Sequence, residues 1–286
     1  MLPFAFFVLQ LPAMNLFPIP LEDKVVLITG ASSGFGEDAA WFFAAEGCKL
    51  VLAARRIDRL QTLAARIQDE GGEAIAVPMD IVNPDDIDNM VKSALDLYGR
   101  IDILFNNAGI GRVAWFEEHS IERDIDLLIR VNLIGMMQVT RMVLPHMIER
   151  REGHIINMIS VAGLISPTLI SSYSASKYGA RAFTDALRRE VAPLGIQVSG
   201  IYPGPATTEF GRHIGKNKAY GSFRNKINIR MSSEYVAKRV VDVAKRPRRS
   251  LVIPWWFRII TTFDLLFPIV VDWILYLFSK IKHKVD

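Results

Sequence analysis

Tyr173 and Lys177 stand four residues apart in YSASK, so on a helix they share one face. A phenol titrates near pH ~10, and an ammonium held beside it favours the phenolate. That pairing turns a tyrosine into an acid/base usable near neutral pH. Ser160 closes the buried-type run HIINMIS (residues 154–160), where a hydroxyl can hydrogen-bond a substrate oxygen, and Asn132 lies further upstream. Each residue has a plainer use on its own. A YxxxK pair arises by chance on helix surfaces, Ser160 can cap a strand end, and Asn132 can be a helix-interior polar group bonded to backbone. As a set they point to proton transfer.

Proton transfer needs something to act with, and the start of the chain supplies it. The run KVVLIT (residues 24–29) leads into TGASSGFG, with Gly30, Gly34 and Gly36, and then a helix expected to bury Ala39, Ala40, Phe42 and Phe43. Glycines let the backbone turn tightly and approach a pyrophosphate, while the helix N-terminus presents free N–H groups and a positive dipole. The spacing is GxxxGxG rather than GxGxxG. A packing turn is the alternative, but its place after the first strand of a β-α-β unit favours a nucleotide. The second run, KLVLAA (residues 49–54), ends at Arg55 and Arg56 with no carboxylate to take a ribose 2′-OH. Two guanidiniums suit a 2′-phosphate and so NADP(H) over NAD(H). Otherwise they are an exposed pair with Asp58 as a partner.

These groups are positioned by alternating elements. Further apolar runs lie at residues 73–80, 102–107, 196–203 and 250–254, separated by helix-length segments. Most are continuous rather than alternating, as in strands buried on both faces of a parallel sheet. Asn83-Pro84 and Ser232 mark helix starts. The pattern predicts an α/β fold: one doubly wound Rossmann-type sheet of about seven parallel strands flanked by helices, with an apolar C-terminal helix. The expected organisation is an apolar extension over residues 1–22, a catalytic domain over 23–254, and an apolar, basic segment over 255–286.

With the sheet in place, the set of motifs resembles the short-chain dehydrogenase/reductase family over about residues 24–253. The matching pieces are TGASSGFG, Asp80, NNAG at residues 106–109, Asn132, Ser160, YSASK and PGPATT at residues 203–208. The resemblance implies that Tyr173 is the general acid/base. Lys177 would lower its pKa and bind the nicotinamide ribose, Ser160 would orient the substrate carbonyl, and Asn132 would hold a water in a proton relay. It further implies that Gly30, Ser32, Ser33, Gly34, Phe35 and Gly36 face the dinucleotide. Asp80 and Ile81 would lie by the adenine, Asn107, Ala108 and Gly109 along the cofactor, and Pro203, Gly204, Ala206 and Thr208 at its carboxamide end. Arg55, with Arg56, falls where NADP-preferring members clamp the 2′-phosphate.

Composition bounds the alternatives. The chain has 286 residues, half of them hydrophobic and 22% charged, which excludes a disordered chain. A single cysteine, Cys48, permits neither an internal disulfide nor a CxxC metal site, and no metal is expected. The net charge of +4 hides a basic block: residues 211–250 hold 12 Lys/Arg against 2 Asp/Glu, or 12 − 2 = +10. It reads either as a solvated face or as a surface for lipid headgroups, an acidic carrier protein or a phosphorylated substrate handle. It lacks interleaved aromatics and a groove-reading motif, so nucleic acid is not an expected partner.

Residues 259–278 have membrane-helix length but contain Asp264, Pro268 and Asp272. Two aspartates at mid-helix cost ~5–7 kcal/mol against roughly 4–8 kcal/mol from the Ile, Leu, Val and Phe residues, so spanning nearly breaks even. Thr261, Asp264, Pro268, Asp272 and Ser279 fall on one side of a helical wheel, with Trp255, Trp256 and Trp273 near the apolar face. A helix lying in a membrane interface fits, reinforced by Lys280, Lys282 and Lys284; packing on the fold or a dimer contact also fits. The first 21 residues lack a basic n-region and an A-x-A site, so no secretory signal is expected, and Met14 is an alternative start. The expected protein is a cytoplasmic homodimer or homotetramer with a peripheral membrane contact. Its expected substrate is an apolar alcohol or ketone of steroid, retinoid or long-chain type, surrounded by residues 161–172 and 206–230. A 3-oxoacyl reductase acting on carrier-protein or coenzyme A thioesters is the second reading, and a nucleotide-binding interaction protein without turnover the third.

Overall fold

The strands pair in parallel in the order β3-β2-β1-β4-β5-β6-β9, and the chain switches direction of growth between β1 and β4. The structure is a computed structural model describing residues 17–210 and 231–282, with side chains to residue 277. Its strands are β1 (Val25–Thr29), β2 (Lys49–Ala54), β3 (Glu73–Pro78), β4 (Ile103–Asn106), β5 (Gly153–Met158), β6 (Ile196–Pro203), a short parallel pair β7 (Ala206–Thr207) and β8 (Met231–Ser232), and β9 (Ser250–Ile253). Every residue of β1, β4 and β5 is buried, as continuous apolar runs require, whereas the edge strand β3 exposes both its ends. The expected doubly wound α/β sheet is therefore what forms.

Helices cover both faces. They are α1 (Gly34–Ala45), α2 (Ile57–Asp69), α3 (Pro84–Tyr98), α4 (Ile121–Arg150), α5 (Ser171–Val191), α6 (Ser233–Lys245), α7 (Phe257–Leu266) and α8 (Pro268–Lys282). Phe43, Leu60 and Val240 from α1, α2 and α6 pack against Val26, Ile28 and Leu52 on one face. Met90, Val143 and Leu187 from α3, α4 and α5 pack against Leu27, Val51 and Leu104 on the other. The period of two along each strand sends successive side chains to opposite layers. Helix starts follow local chemistry: Asn83 accepts from the Asp85 N–H ahead of Pro84, and Ser232 Oγ accepts from the Tyr235 N–H.

A buried polar chain ties the layers together beneath the strand ends. Asn106 Nδ2 donates to Thr140 Oγ1 at 3.0 Å and to Asn157 Oδ1 at 2.9 Å, and Asn157 Nδ2 donates to Thr184 Oγ1 at 2.9 Å. It joins β4 and β5 to α4 and α5. Because each bond is desolvated, breaking one leaves an unpaired buried group, so separating the four elements is costly. α4 is long and apolar enough to cross a membrane, but Val131, Val139, Val143 and Met147 are buried against the sheet, which makes it a core helix.

Three expectations are corrected. Phe42 is only partly buried, since α1 turns Phe43, Ala39 and Ala40 to the sheet and leaves Phe42 at the margin of that layer. β5 ends at Met158, so Ser160 caps a short 3₁₀ turn rather than closing the strand. The C-terminal segment is two helices bent by 109°, not one. Proline at 268 has no N–H to donate and disfavours the helical conformation at the residue before it, and Phe267 has left it, with φ −132° and ψ 53°. Residues 1–16, the stretch 211–230 of the basic block and substrate loop, and Lys284 lie outside the described residues, as do the side chains of Ser279, Lys280 and Lys282.

Candidate active site

The site lies beyond the C-terminal ends of β1, β4, β5 and β6, where the reversal of strand order opens a crevice. At its floor, the Thr29 hydroxyl accepts the backbone N–H of Asn107 at 3.0 Å and of Ala108 at 3.1 Å. Asn107 Nδ2 donates back to the carbonyls of Thr29 and Gly30, each at 3.1 Å. The glycine turn and the NNAG turn are thereby stapled across the switch point. Gly36 must be glycine: a Cβ there would stand 2.5 Å from the Gly30 oxygen and 2.6 Å from Asn107 Nδ2. Gly30 has φ +69°, and a Cβ there would stand 2.8 Å from the Ala108 Cα. Ser33, at the N-cap of α1, makes no side-chain cap bond, so the first N–H groups of the helix stay open to an anion. These features fit a dinucleotide pyrophosphate.

The two arginines after β2 separate. Arg55 is exposed and makes no ion pair among the described residues. Arg56 folds back onto the glycine turn, bonding Ser32 Oγ at 2.9 Å and Ser33 Oγ at 2.6 Å. Its carboxylate partner is Glu209 at 3.1 Å rather than Asp58, the partner of the plainer reading, because the guanidinium crosses to the loop after β7 instead of running along α2. Hydrogen bonds from Arg56 and Arg59 hold the Glu209 carboxyl below its ordinary range. Asp80 accepts the Val82 N–H at 3.2 Å, while its own N–H goes to Asp86. Ile81 is buried against Gly135 of α4, where a Cβ would come within 2.6 Å of it.

Lys177 is the centre. Its side chain is fully buried, and Nζ donates to the Met158 carbonyl at 3.2 Å and lies 5.7 Å from the centre of the Tyr173 ring. Burial pushes the amine down to about 8. A Cβ built on Gly109 would stand 3.2 Å from Asn132 Oδ1 and 3.6 Å from Lys177 Nζ, which brings the NNAG turn, Asn132 and Lys177 to one place. Asn132 is fully buried in a π-helical stretch of α4; Oδ1 accepts the Ile110 N–H, and Nδ2 donates to the Ile110 carbonyl and to Ser176 Oγ. Both hydrogens of Nδ2 are thus committed, and a water held by this side chain must donate to Oδ1. Ser160 Oγ accepts the Ala162 N–H at 3.1 Å and reaches the Pro203 carbonyl only at 3.4 Å, a long bond easily exchanged for a substrate oxygen. Thr208 packs against Gly34, Ala206 pairs with Met231, Gly204 packs against Phe257, and Phe35 rests partly buried on the core.

Sequence reasoning missed Thr29 and Ser176. Ser176 is fully buried, donates to the Tyr173 carbonyl at 2.7 Å and accepts from Asn132, so it joins α5 to α4 directly below the tyrosine. Its signal was a polar residue inside YSASK, one position before Lys177, on the side of the helix that meets the core. Thr29 was likewise a hydroxyl ending an apolar strand.

A doubly wound sheet with a glycine turn at the switch point and a Tyr–Lys pair beside it defines a nucleotide-dependent oxidoreductase class. The family model for short chain dehydrogenases matches residues 24–219. An uncharacterized oxidoreductase of Staphylococcus saprophyticus is 33% identical over 235 residues, 81% of this chain and 94% of that protein. A short chain dehydrogenase/reductase of Burkholderia phymatum, solved with NAD, superposes with a TM-score of 0.81 at 26% identity over 88% of this chain and 96% of that one. The 3-ketoacyl-(acyl-carrier-protein) reductase of Brucella melitensis, solved with NADH, gives 0.74 at 32% identity over 82% and 97%. The chain belongs to the short-chain dehydrogenase/reductase family, and it is a dehydrogenase/reductase enzyme.

The buried amine has a consequence for stability. Between its folded value of about 8 and its ordinary value of 10.5, the unfolded chain keeps a proton that the folded one has shed. Stability of the cofactor-free protein therefore rises through that window, and below it the full penalty, about 3 kcal/mol, is present. Lys177→Met should raise stability at pH 7 by about 2–4 kcal/mol in urea denaturation. The gain should fade between pH 8 and 10.5; a variant no more stable than the parent at pH 7 would contradict the burial argument.

Proposed function

We propose that the protein is an NADP(H)-dependent oxidoreductase that interconverts a carbonyl and an alcohol on an apolar substrate, with Tyr173 as acid/base. The observation that carries this reading is the fully buried Lys177 ammonium set 5.7 Å from the Tyr173 ring and beside Gly109. When bound, the nicotinamide supplies or accepts the hydride. In the reductive direction, the Tyr173 hydroxyl gives its proton to the carbonyl oxygen, and the Lys177 charge stabilises the phenolate left behind. Ser160 releases its long bond to Pro203 and donates to the same oxygen, orienting it and sharing its developing charge. The proton on Tyr173 is then restored from the Asn132 side, through a water donating to Oδ1. The oxidative direction reverses each step.

Arg55 supports the cofactor preference: it is an exposed guanidinium at the end of β2, spare where Arg56 is occupied by the glycine turn. The C-terminal helices support an apolar substrate met at a membrane surface. Ile259, Phe263, Ile269 and Trp273 are exposed at 61%, 42%, 82% and 62%. At 1.5 Å per residue α8 is about 22 Å long and α7 about 15 Å, each short of the ~30 Å hydrocarbon core. Bent by 109°, they suit a helix pair lying in the interface better than a span. The unit proposed for that contact begins at residue 255. A second reading, reduction of a carrier-bound 3-oxoacyl thioester, is favoured by exposed Lys238, Arg246 and Arg248 in the described part of the basic block and by the likeness to the Brucella enzyme. Salt-sensitive turnover of carrier-bound substrate, with none on free ketones, would select it.

Tyr173→Phe should bind NADPH as the parent does yet lose about 10²–10⁴-fold in kcat across a panel of apolar ketones. Parent-like turnover would end the assignment. For Arg55→Ala, fluorescence titration should show a Kd for NADPH raised about tenfold or more with that for NADH nearly unchanged, since only the former has a 2′-phosphate to lose. Equal losses for both would reduce Arg55 to a surface charge.

A further inference from the structure

A second, cationic cleft of about 460 Å³ opens between α5, the β6/β9 edge of the sheet and the first turns of α7. Arg181, Arg249 and Arg258 line it, with Asp185, Tyr202 and Thr261. The single carboxylate is already engaged: Asp185 pairs with Arg188 as well as with Arg249 at 3.5 Å. Arg181 makes one long bond, 3.4 Å to the Gly163 carbonyl, and Arg258 makes one to Ser250 Oγ at 2.9 Å. Most of the guanidinium donors are therefore unspent. The phenol of Tyr202 adds another. That side chain is 3% exposed, and its hydroxyl has no hydrogen-bond partner among the described residues. Burial, with the Asp185 charge, pushes it up to about 12, so it remains an O–H donor. Three arginines and the Tyr202 hydroxyl line one cleft, a donor set that suits a phosphate.

Its location selects the source of that phosphate. Arg258 is the second residue of α7, and the residues after it, Ile259, Ile260 and Phe263, are exposed apolar side chains. A ligand lying in the cleft and along that helix must be anionic at one end and apolar at the other. Leu164, four residues past Ser160, also lines the cleft and links it to the rim of the substrate region. We propose that this cleft is a headgroup site for an anionic phospholipid, whose phosphate bonds Arg181, Arg249, Arg258 and the Tyr202 hydroxyl while its chains lie with α7 in the membrane interface. The proposal rests on the membrane contact inferred above and adds to it a built site with a charge preference.

The test is flotation of the full chain with vesicles of phosphatidylcholine alone or of equimolar phosphatidylcholine and phosphatidylglycerol. Wild type should bind both and favour the anionic vesicles. Arg249→Gln combined with Arg258→Gln should lose about 25-fold of the anionic partition, at roughly fivefold per basic residue, and none of the neutral one. A control carrying Lys238→Gln, Arg246→Gln and Arg248→Gln, outside the cleft, should lose less despite removing more charge. Tyr202→Phe, which keeps the packing, should weaken anionic partition alone; NADPH fluorescence reports that each variant is folded. If the control loses as much as the cleft variant, or Tyr202→Phe changes nothing, attraction is diffuse and the site is overturned. If wild type binds both vesicles equally and inorganic phosphate raises its Tm through Arg249 and Arg258, the phosphate is a soluble one and the lipid assignment fails. Binding to neither vesicle would overturn the membrane contact itself.

Discussion

The arrangement turns on keeping one ammonium dry. Lys177 projects from α5 beneath the end of β5, holds the Met158 carbonyl, and touches solvent hardly at all. An amine so placed is costly, and the surroundings are built to retain it. A Cβ at Gly163 would stand 2.7 Å from the Lys177 carbonyl oxygen, so the turn after Ser160 lies directly on the helix backbone there. Ser176 fastens the preceding position to Asn132, and the polar chain through Asn106, Asn157 and Thr184 holds the sheet and both helices in register. Stability given up at the amine is returned by these bonds, which are worth most because they are buried. A rigid, desolvated charge is what acts on a neighbouring phenol; the same charge in water would be screened to little effect.

The second constraint is topological. Reversal of strand order between β1 and β4 opens a crevice at their C-terminal ends, and the stapling of the glycine turn to the NNAG turn through Thr29 and Asn107 fixes its two sides. Gly109 then leads from the floor of the crevice to the amine, and Gly34, touching Thr208, closes the wall toward the loop after β6. The α1 N-terminus, the NNAG turn and the Lys177–Tyr173 pair thus border the same crevice. A ligand with phosphates at one end and a reactive ring near its other end fits that crevice.

Much of this was legible in the amino-acid sequence, for identifiable reasons. β2 and β6 run over the residues that the apolar runs mark, because both are interior strands whose ends coincide with charged or turn-forming residues. The caps at Asn83 and Ser232 are local chemistry and needed no tertiary information. What could not be read depends on partners far along the chain. Arg56 finds Glu209, 153 residues away, instead of Asp58 on its own helix, and Ser176 matters only once α4 lies against α5. Phe42 and Phe43 are both apolar, and only the packing of α1 against the sheet and α6 decides which of them is buried. The break at Pro268 was visible as a residue type, but a wheel drawn across it assumed a continuous helix that the missing N–H does not allow.

The coupling between the buried amine and the phenol can be observed without turnover. With a carbon-13 label in the tyrosine rings, Tyr173 is assigned by its loss in Tyr173→Phe, and its titration is followed in the wild type and in Lys177→Met. The account predicts that Tyr173 loses its proton at a clearly lower pH in the wild type than in the variant. A Tyr173 resonance that titrates at the same pH in both proteins would show that Lys177 does not set its acidity.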